Sequence, residues 1–342
     1  MALGELKQPE GTANVLVAGG AGFIGSHIVR RLLEDEKTER VLVIDDLSSG
    51  TRENLEGSLG DDRLDVLEMD ITDPAVVESA GRDFDLVLHL AAVANPVDYE
   101  RRPLDTLNVN SDGARNLMSI SGRSGSKFIF FSSSEVYGNY NIVPIDPMSE
   151  TSHSRIILNQ RRSPYVVGKC FGEEITISYS KKLGIDHLII RPFNIYGPNM
   201  DLMTEYGRVI PNFCIWGLRG QPLRINGDGT QVRTFCHVDD MVNSLFLLIE
   251  KDIKQRSVNV GYPHPTSILD LARMVSGILG IEENFEFADK YQFEPYIRIP
   301  DIRLAKDLTG WEPEVDLKTG LVRTIDWFRE TGLKKYSRYI TL

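Results

Sequence analysis

The chain predicts an α/β fold: a doubly wound parallel sheet with a smaller lobe interleaved towards its C-terminal end. Three observations predict it. Short β-rich apolar runs alternate with helical patterns as far as residue 190. A glycine-rich stretch, Gly19-Gly20-Ala21-Gly22-Phe23-Ile24-Gly25, joins the first run to the first helix. After Arg191-Pro192-Phe193 the rhythm changes to Pro- and Gly-rich loops with isolated helices. Strands separated by helices cannot be hairpin partners, so they pair in parallel with helices on both faces.

In order, strands are expected at 15–18, 41–44, 64–69, 86–90, 128–131 and 187–190. The second ends at Asp45 and the third at Asp70. Helices are expected from the glycine turn through Leu33, and around 75–80, 103–119 and 165–183. No internal repeat is visible.

With 342 residues the chain can bury a full core and exceeds the usual single domain. Hydrophobic residues make 42% and charged residues 25%, an unremarkable globular composition. The net charge of −11 argues against a nucleic acid or an anionic membrane as main partner. Residues 1–12 are polar, so no signal peptide is expected, and no apolar run approaches a membrane span. Cys170, Cys214 and Cys236 fit neither a disulfide framework nor a metal spacing, so no metal site and a cytoplasmic location are expected.

The glycine spacing Gly19-x-x-Gly22-x-x-Gly25 suits a βα turn whose amides approach a pyrophosphate, helped by the partial charge of the helix N-terminus. Asp45 lies twenty residues beyond Gly25, where a carboxylate accepts from ribose hydroxyls and repels a 2′-phosphate. NAD is therefore the expected cofactor, with Asp70 on the adenine side. Downstream, Phe131-Ser132-Ser133-Ser134-Glu135-Val136-Tyr137-Gly138 precedes Tyr165-Val166-Val167-Gly168-Lys169. Tyr165 and Lys169, four apart, share a helix face. A phenol titrates near 10, so a Tyr base needs nearby positive charge, which Lys169 and an oxidised nicotinamide would supply. Ser133 would hydrogen-bond the same substrate oxygen.

These motifs resemble the extended short-chain dehydrogenase/reductase family of nucleotide-sugar epimerases, dehydratases and decarboxylases. Leu90-Ala91-Ala92, Asn110-x-x-Gly113 and Arg191-Pro192-x-Asn194-x-Tyr196-Gly197-Pro198 add to the likeness. The resemblance implies a Rossmann-like domain over 1–193, with a return segment at about 231–262. It puts a nucleotide-sugar-binding domain over 194–230 and 263–342. It implies a homodimer, and NAD held by Gly19, Gly22, Phe23, Ile24, Gly25, Asp45, Asp70, Ile71, Leu90, Ala91, Ala92, Asn110, Tyr165, Lys169 and Arg191. Ser133, Tyr165 and Lys169 become the catalytic set, with Tyr165 the base at the sugar C4 hydroxyl.

Within the family, Ser134 stands where dehydratases carry an Asp acid. The run from Ser133 to Gly138 resembles UDP-glucuronate decarboxylases. So do Asn95-Pro96-Val97-Asp98-Tyr99, Arg162-Ser163-Pro164-Tyr165, Gly207-Arg208-Val209-Ile210-Pro211-Asn212-Phe213 and Gly227-Asp228-Gly229-Thr230-Gln231-x-Arg233. Ala92-Val93 departs from their Cys-Pro, and 150–161 does not match. The expected reaction is decarboxylation of UDP-glucuronate through a 4-keto intermediate to UDP-xylose or its 4-keto form; 4-epimerisation and dehydration are the alternatives. Glu135 with Ser134 is expected to orient the sugar and manage the proton at C5. Pro96, Tyr99, Arg162, Asn194, Asn212, Arg233 and Arg298 complete the expected substrate contacts, with Arg233 and Arg298 on the diphosphate. Trp216 and Trp311 are read as core.

Overall fold

The computed structural model describes residues 13–138, 147–201, 208–289 and 298–335. The polar stretch 1–12 lies outside them. The elements are β1 (Ala13–Ala18), α1 (Phe23–Leu33), β2 (Thr38–Asp45), β3 (Leu64–Glu68), α2 (Val76–Ser79) and β4 (Leu86–His89). Next come α3 (Pro96–Arg101), α4 (Pro103–Ser124), β5 (Lys127–Phe131), α5 (Ser163–Leu183), β6 (His187–Pro192) and β7 (Ile195–Tyr196). Then follow α6 (Val209–Leu218), β8 (Leu223–Asn226), β9 (Val232–Arg233), β10 (Cys236–His237), α7 (Val238–Glu250) and β11 (Arg256–Val260). The chain continues with β12 (Thr266–Ser267), α8 (Ile268–Leu279), β13 (Phe285–Ala288), α9 (Arg303–Thr309) and α10 (Leu317–Trp327).

Seven strands form one parallel sheet in the order β3-β2-β1-β4-β5-β6-β11. Side chains alternate between its faces, as the two-residue strand period requires. Val15, Val17, Val41 and Leu88 face α1 and α7, beside Ile28, Leu32, Met241 and Leu245. Leu16, Leu42, Val87 and Phe128 face the other layer, beside Leu117 and Met118 of α4. The six expected strands all form. The seventh, β11, is not among them: three of its five residues, Arg256, Ser257 and Asn259, are polar, which hides an edge strand's pattern.

Small pairs build the second lobe: β8 with β13, β9 with β12, and β7 with β10. Its helices α6 and α8 bury Phe213, Leu271 and Val275 against the apolar cluster that starts at the sheet. Among the described residues no helix is long and apolar enough to cross a membrane.

Candidate active site

Strand order reverses between β1 and β4, so their carboxyl ends diverge and leave a crevice. Two grooves open there, of about 320 and 340 Å3. They share Phe23, Ile24, Ala94, Tyr165, Pro192 and Arg208, so they meet at Tyr165.

The first groove runs over the glycine turn. Gly19 has φ +83°, and a Cβ on it would sit 2.5 Å from Ala91 N. Gly25 lies against that turn, where a Cβ would sit 2.1 Å from Gly19 O. Gly22 precedes α1, and no side chain caps the helix, so its first amides are left for a ligand. Gly25→Ala is therefore expected to open the turn and release the dinucleotide. Loss of bound nucleotide absorbance in the purified variant checks this; full retention contradicts it.

Asp45 ends β2 at the groove; its oxygens accept from Ala21 N at 2.9 Å and Leu47 N at 3.0 Å. Burial pushes its pKa up. Each carboxylate oxygen keeps a second lone pair for a hydroxyl. Asp70, Ile71, Leu90, Ala91 and Ala92 line the same groove, as do Gly19, Gly22, Phe23, Ile24 and Gly25. A glycine-rich loop, a strand-end carboxylate and the amine of Lys169 fit a dinucleotide.

Two expected cofactor contacts are corrected. Asn110 is fully buried between α4 and α5, donates to Thr106 O at 2.8 Å and packs on Gly168. Arg191 turns away from the groove: its Nε and Nη2 bind Glu173 at 2.8 and 2.6 Å. Both sit one layer behind the lining, a depth that motif spacing does not encode.

At the junction, Ser133 lies in the bend after β5 and accepts from Glu135 N at 3.2 Å. Tyr165 enters from the first turn of α5, is 8% exposed and hydrogen-bonds Ser133. Its phenol is pushed up to about 12 by burial and by Glu135, against the lowering pull of the Ser133 bond and Arg208. Lys169 is 2% exposed, donates to Phe131 O at 2.7 Å, and is pushed down to about 7 by burial, with Glu173 opposing. Its Nζ is 5.8 Å from the Tyr165 ring centroid. The cation that lowers the phenol here is thus Arg208, which the sequence reading did not choose. Tyr99 stacks on Tyr165, centroids 4.7 Å apart at 15°.

Glu135 is clamped. Arg298 Nη1 lies 2.7 Å and Arg162 Nη1 3.0 Å from its Oε1, and Arg298 also donates to Gly138 O at 3.0 Å. Burial would raise this carboxyl, but Arg298 and Arg162 outweigh it and hold it down at about 2. At neutral pH Glu135 is therefore a carboxylate that accepts from Arg298 and Arg162.

The second groove collects Pro96, Tyr99, Ser133, Ser134, Glu135, Arg162, Asn194, Asn212, Arg233 and Arg298, as expected. It also takes Arg208, Arg224 and Trp216. Trp216 packs partly buried against the core and also walls the groove, whereas Trp311 is buried at 3% exposure. A legible signal marked the wall: Arg208, Asn212 and Trp216 are spaced by four and share one face of α6. In total, five arginines and one glutamate line this groove. Among the described residues no cluster of His, Cys, Asp or Glu is placed to hold a metal.

This geometry has known counterparts. A model of the NAD dependent epimerase/dehydratase family matches residues 15–261. UDP-glucuronic acid decarboxylase 5 of Arabidopsis thaliana is 36% identical over 315 residues, 92% of this chain and 89% of that protein. The structure of UDP-glucose 4-epimerase from Thermotoga maritima with UDP-glucose superposes with a TM-score of 0.84 at 34% identity, covering 93% of this chain and 99% of that one. The UDP-glucuronic acid 4-epimerase from Bacillus cereus, in complex with UDP-glucuronic acid and NAD, gives 0.83 at 29% identity, with coverage of 93% and 99%. Together with the loop, the strand-end Asp45 and the Ser133, Tyr165 and Lys169 set, these matches make the chain a member of the NAD dependent epimerase/dehydratase family, an enzyme with NAD as its cofactor.

Proposed function

We propose that this enzyme decarboxylates a UDP-uronic acid, UDP-glucuronate, to UDP-xylose or its 4-keto form. The observation that carries the reading is the charge of the second groove: five arginines against one glutamate, in a chain of −11. A nucleoside diphosphate with a sugar carboxylate brings about three negative charges, which this lining balances. The likeness to the Arabidopsis decarboxylase supports the same substrate.

When bound, NAD would supply the hydride acceptor and, in its oxidised form, a positive charge. Tyr165 takes the proton of the C4 hydroxyl, and Ser133 donates to the same oxygen. The resulting ketone lies β to the carboxylate. When the C5–carboxylate bond breaks, CO2 leaves and the electron pair moves onto the C4 oxygen, where Tyr165 and Ser133 stabilise it. A proton from solvent at C5 would give the 4-keto pentose, and return of the hydride to C4, with Tyr165 returning its proton to the C4 oxygen, would reduce it. Dehydration fits poorly: Ser134 is no acid, and Glu135 is held ionised between two arginines.

UDP-uronate 4-epimerisation is the second reading, favoured by the fold shared with the Bacillus cereus epimerase. Incubation with UDP-glucuronate separates the two. Release of CO2 with a UDP-pentose or its ketone is expected; UDP-galacturonate without CO2 would overturn decarboxylation.

A further inference from the structure

Arg191 and Glu173 form a densely bonded, largely enclosed pair outside the grooves. Glu173 sits one helical turn beyond Lys169 on α5, and its Oε1 accepts from Ser132 Oγ at 2.5 Å. Arg191 forks onto both Glu173 oxygens and donates from Nη1 to Tyr137 Oη at 3.0 Å. Tyr137 in turn donates to Asn259 Oδ1 at 2.6 Å. Asn259 Nδ2 donates to Met148 O at 2.8 Å and Asp301 O at 3.3 Å, and Met148 N donates to Ile299 O at 2.8 Å.

The network therefore grips the 132–137 bend at both ends. It grips the 299–301 segment too, next to Arg298. Between the grips lie Ser133, Ser134 and Glu135, and across from them Arg298 meets Glu135. We propose that Glu173 and Arg191 are a positioning pair: they set Ser133 and the Glu135–Arg298 clamp against Tyr165, and they place a carboxylate beside Lys169. Neither touches the substrate. The inference rests on the reading above in one respect, that Tyr165 and Lys169 act at the oxidised carbon.

The charge near Lys169 has few other sources. On α5 itself, Tyr165 is pushed up to about 12 in the protein without NAD and so adds no negative charge there. From β4 comes His89, pushed down to about 3 by burial and therefore uncharged. The β5 neighbours are the Phe130 ring and the Phe131 carbonyl. At the level of Gly168, α4 packs with the uncharged Thr106 and Asn110. Arg191 lies beyond Glu173 and is paired to it. Glu173 is thus the group that favours the Lys169 ammonium.

The test uses Glu173→Gln, Arg191→Lys and Ser132→Ala in the full chain. Lys169 is followed across pH by NMR of 13C-lysine-labelled protein, its signal assigned by its loss in Lys169→Met. Glu173→Gln is expected to move the Lys169 titration, and the alkaline limb of kcat, to lower pH, with kcat down about tenfold or more and KM within about twofold. Arg191→Lys keeps a cation but loses the fork, so kcat falls with the Lys169 titration in place. Ser132→Ala, which leaves the pair intact, should lower kcat without moving that titration. An unmoved Lys169 titration in Glu173→Gln overturns the charge role, and wild-type kcat in Arg191→Lys and Ser132→Ala overturns the positioning role. If wild-type enzyme does not turn over UDP-glucuronate, the substrate reading fails, yet the Lys169 titration still decides this one.

Discussion

Tyr165→Phe is expected to lower kcat by about a hundredfold to ten-thousandfold while leaving the protein folded and NAD bound. The phenol oxygen is the one group at the junction of both grooves with a hydroxyl placed against Ser133. The ring is retained in Phe, so the stack on Tyr99 and the buried packing persist. The variant should therefore keep bound dinucleotide and a near-native melting temperature, and fail in single-turnover reduction of NAD by substrate. Turnover close to wild type would show that another group takes the C4 proton. The pH dependence follows from the same site. Lys169 titrates at about 7 in the protein alone, so its charge is present below that pH and fades above it. A depressed Lys pKa also means the unfolded chain holds that proton more tightly, so this group's contribution to stability rises as pH climbs from about 7 to 10.5.

Glu135→Gln is expected to spare NAD binding and cripple turnover, together with a loss of stability. The side chain of Arg298 is 4% exposed and would lose its anionic partner. Breaking such a buried pair from one side costs about 3–5 kcal/mol. The sign with pH is definite. The carboxyl is held at about 2 against an ordinary 4.5, so its stabilisation is complete above 4.5 and is lost as pH falls towards 2. Calorimetric unfolding of wild type and variant should therefore differ most near neutrality and converge in acid. Undiminished CO2 release, or a gap that persists at low pH, would contradict the clamp. The expected chemistry differs from that of a proton donor: Glu135 keeps Arg298 and Arg162 oriented at the wall of the groove.

Much of this was written locally in the chain. The strand–glycine–helix turn, Asp45 and the Tyr165/Lys169 spacing each depend on neighbours within about a helical turn or one βα unit, where periodicity and residue type carry the geometry. The expected substrate contacts line the second groove, most of them near the carboxyl end of a strand or the first turn of a helix. Arg191 and Asn110 misled because their motifs mark position along the chain and not depth. Each lies behind the lining, held by Glu173 or Thr106. Trp216 does both jobs, since an aromatic at helical spacing can pack against the core with one edge and wall a groove with the other.

Local pattern sufficed for the doubly wound sheet, the dinucleotide turn and the Ser133, Tyr165 and Lys169 cluster, because backbone period and short-range spacing dictate them. Charge states came from elsewhere. Glu135 meets Arg298 across 163 residues and Ser132 meets Glu173 across 41, and burial then sets Lys169 near 7 and Glu135 near 2. Such contacts form only when the sheet brings distant strand ends together, and desolvation exists only once they are enclosed.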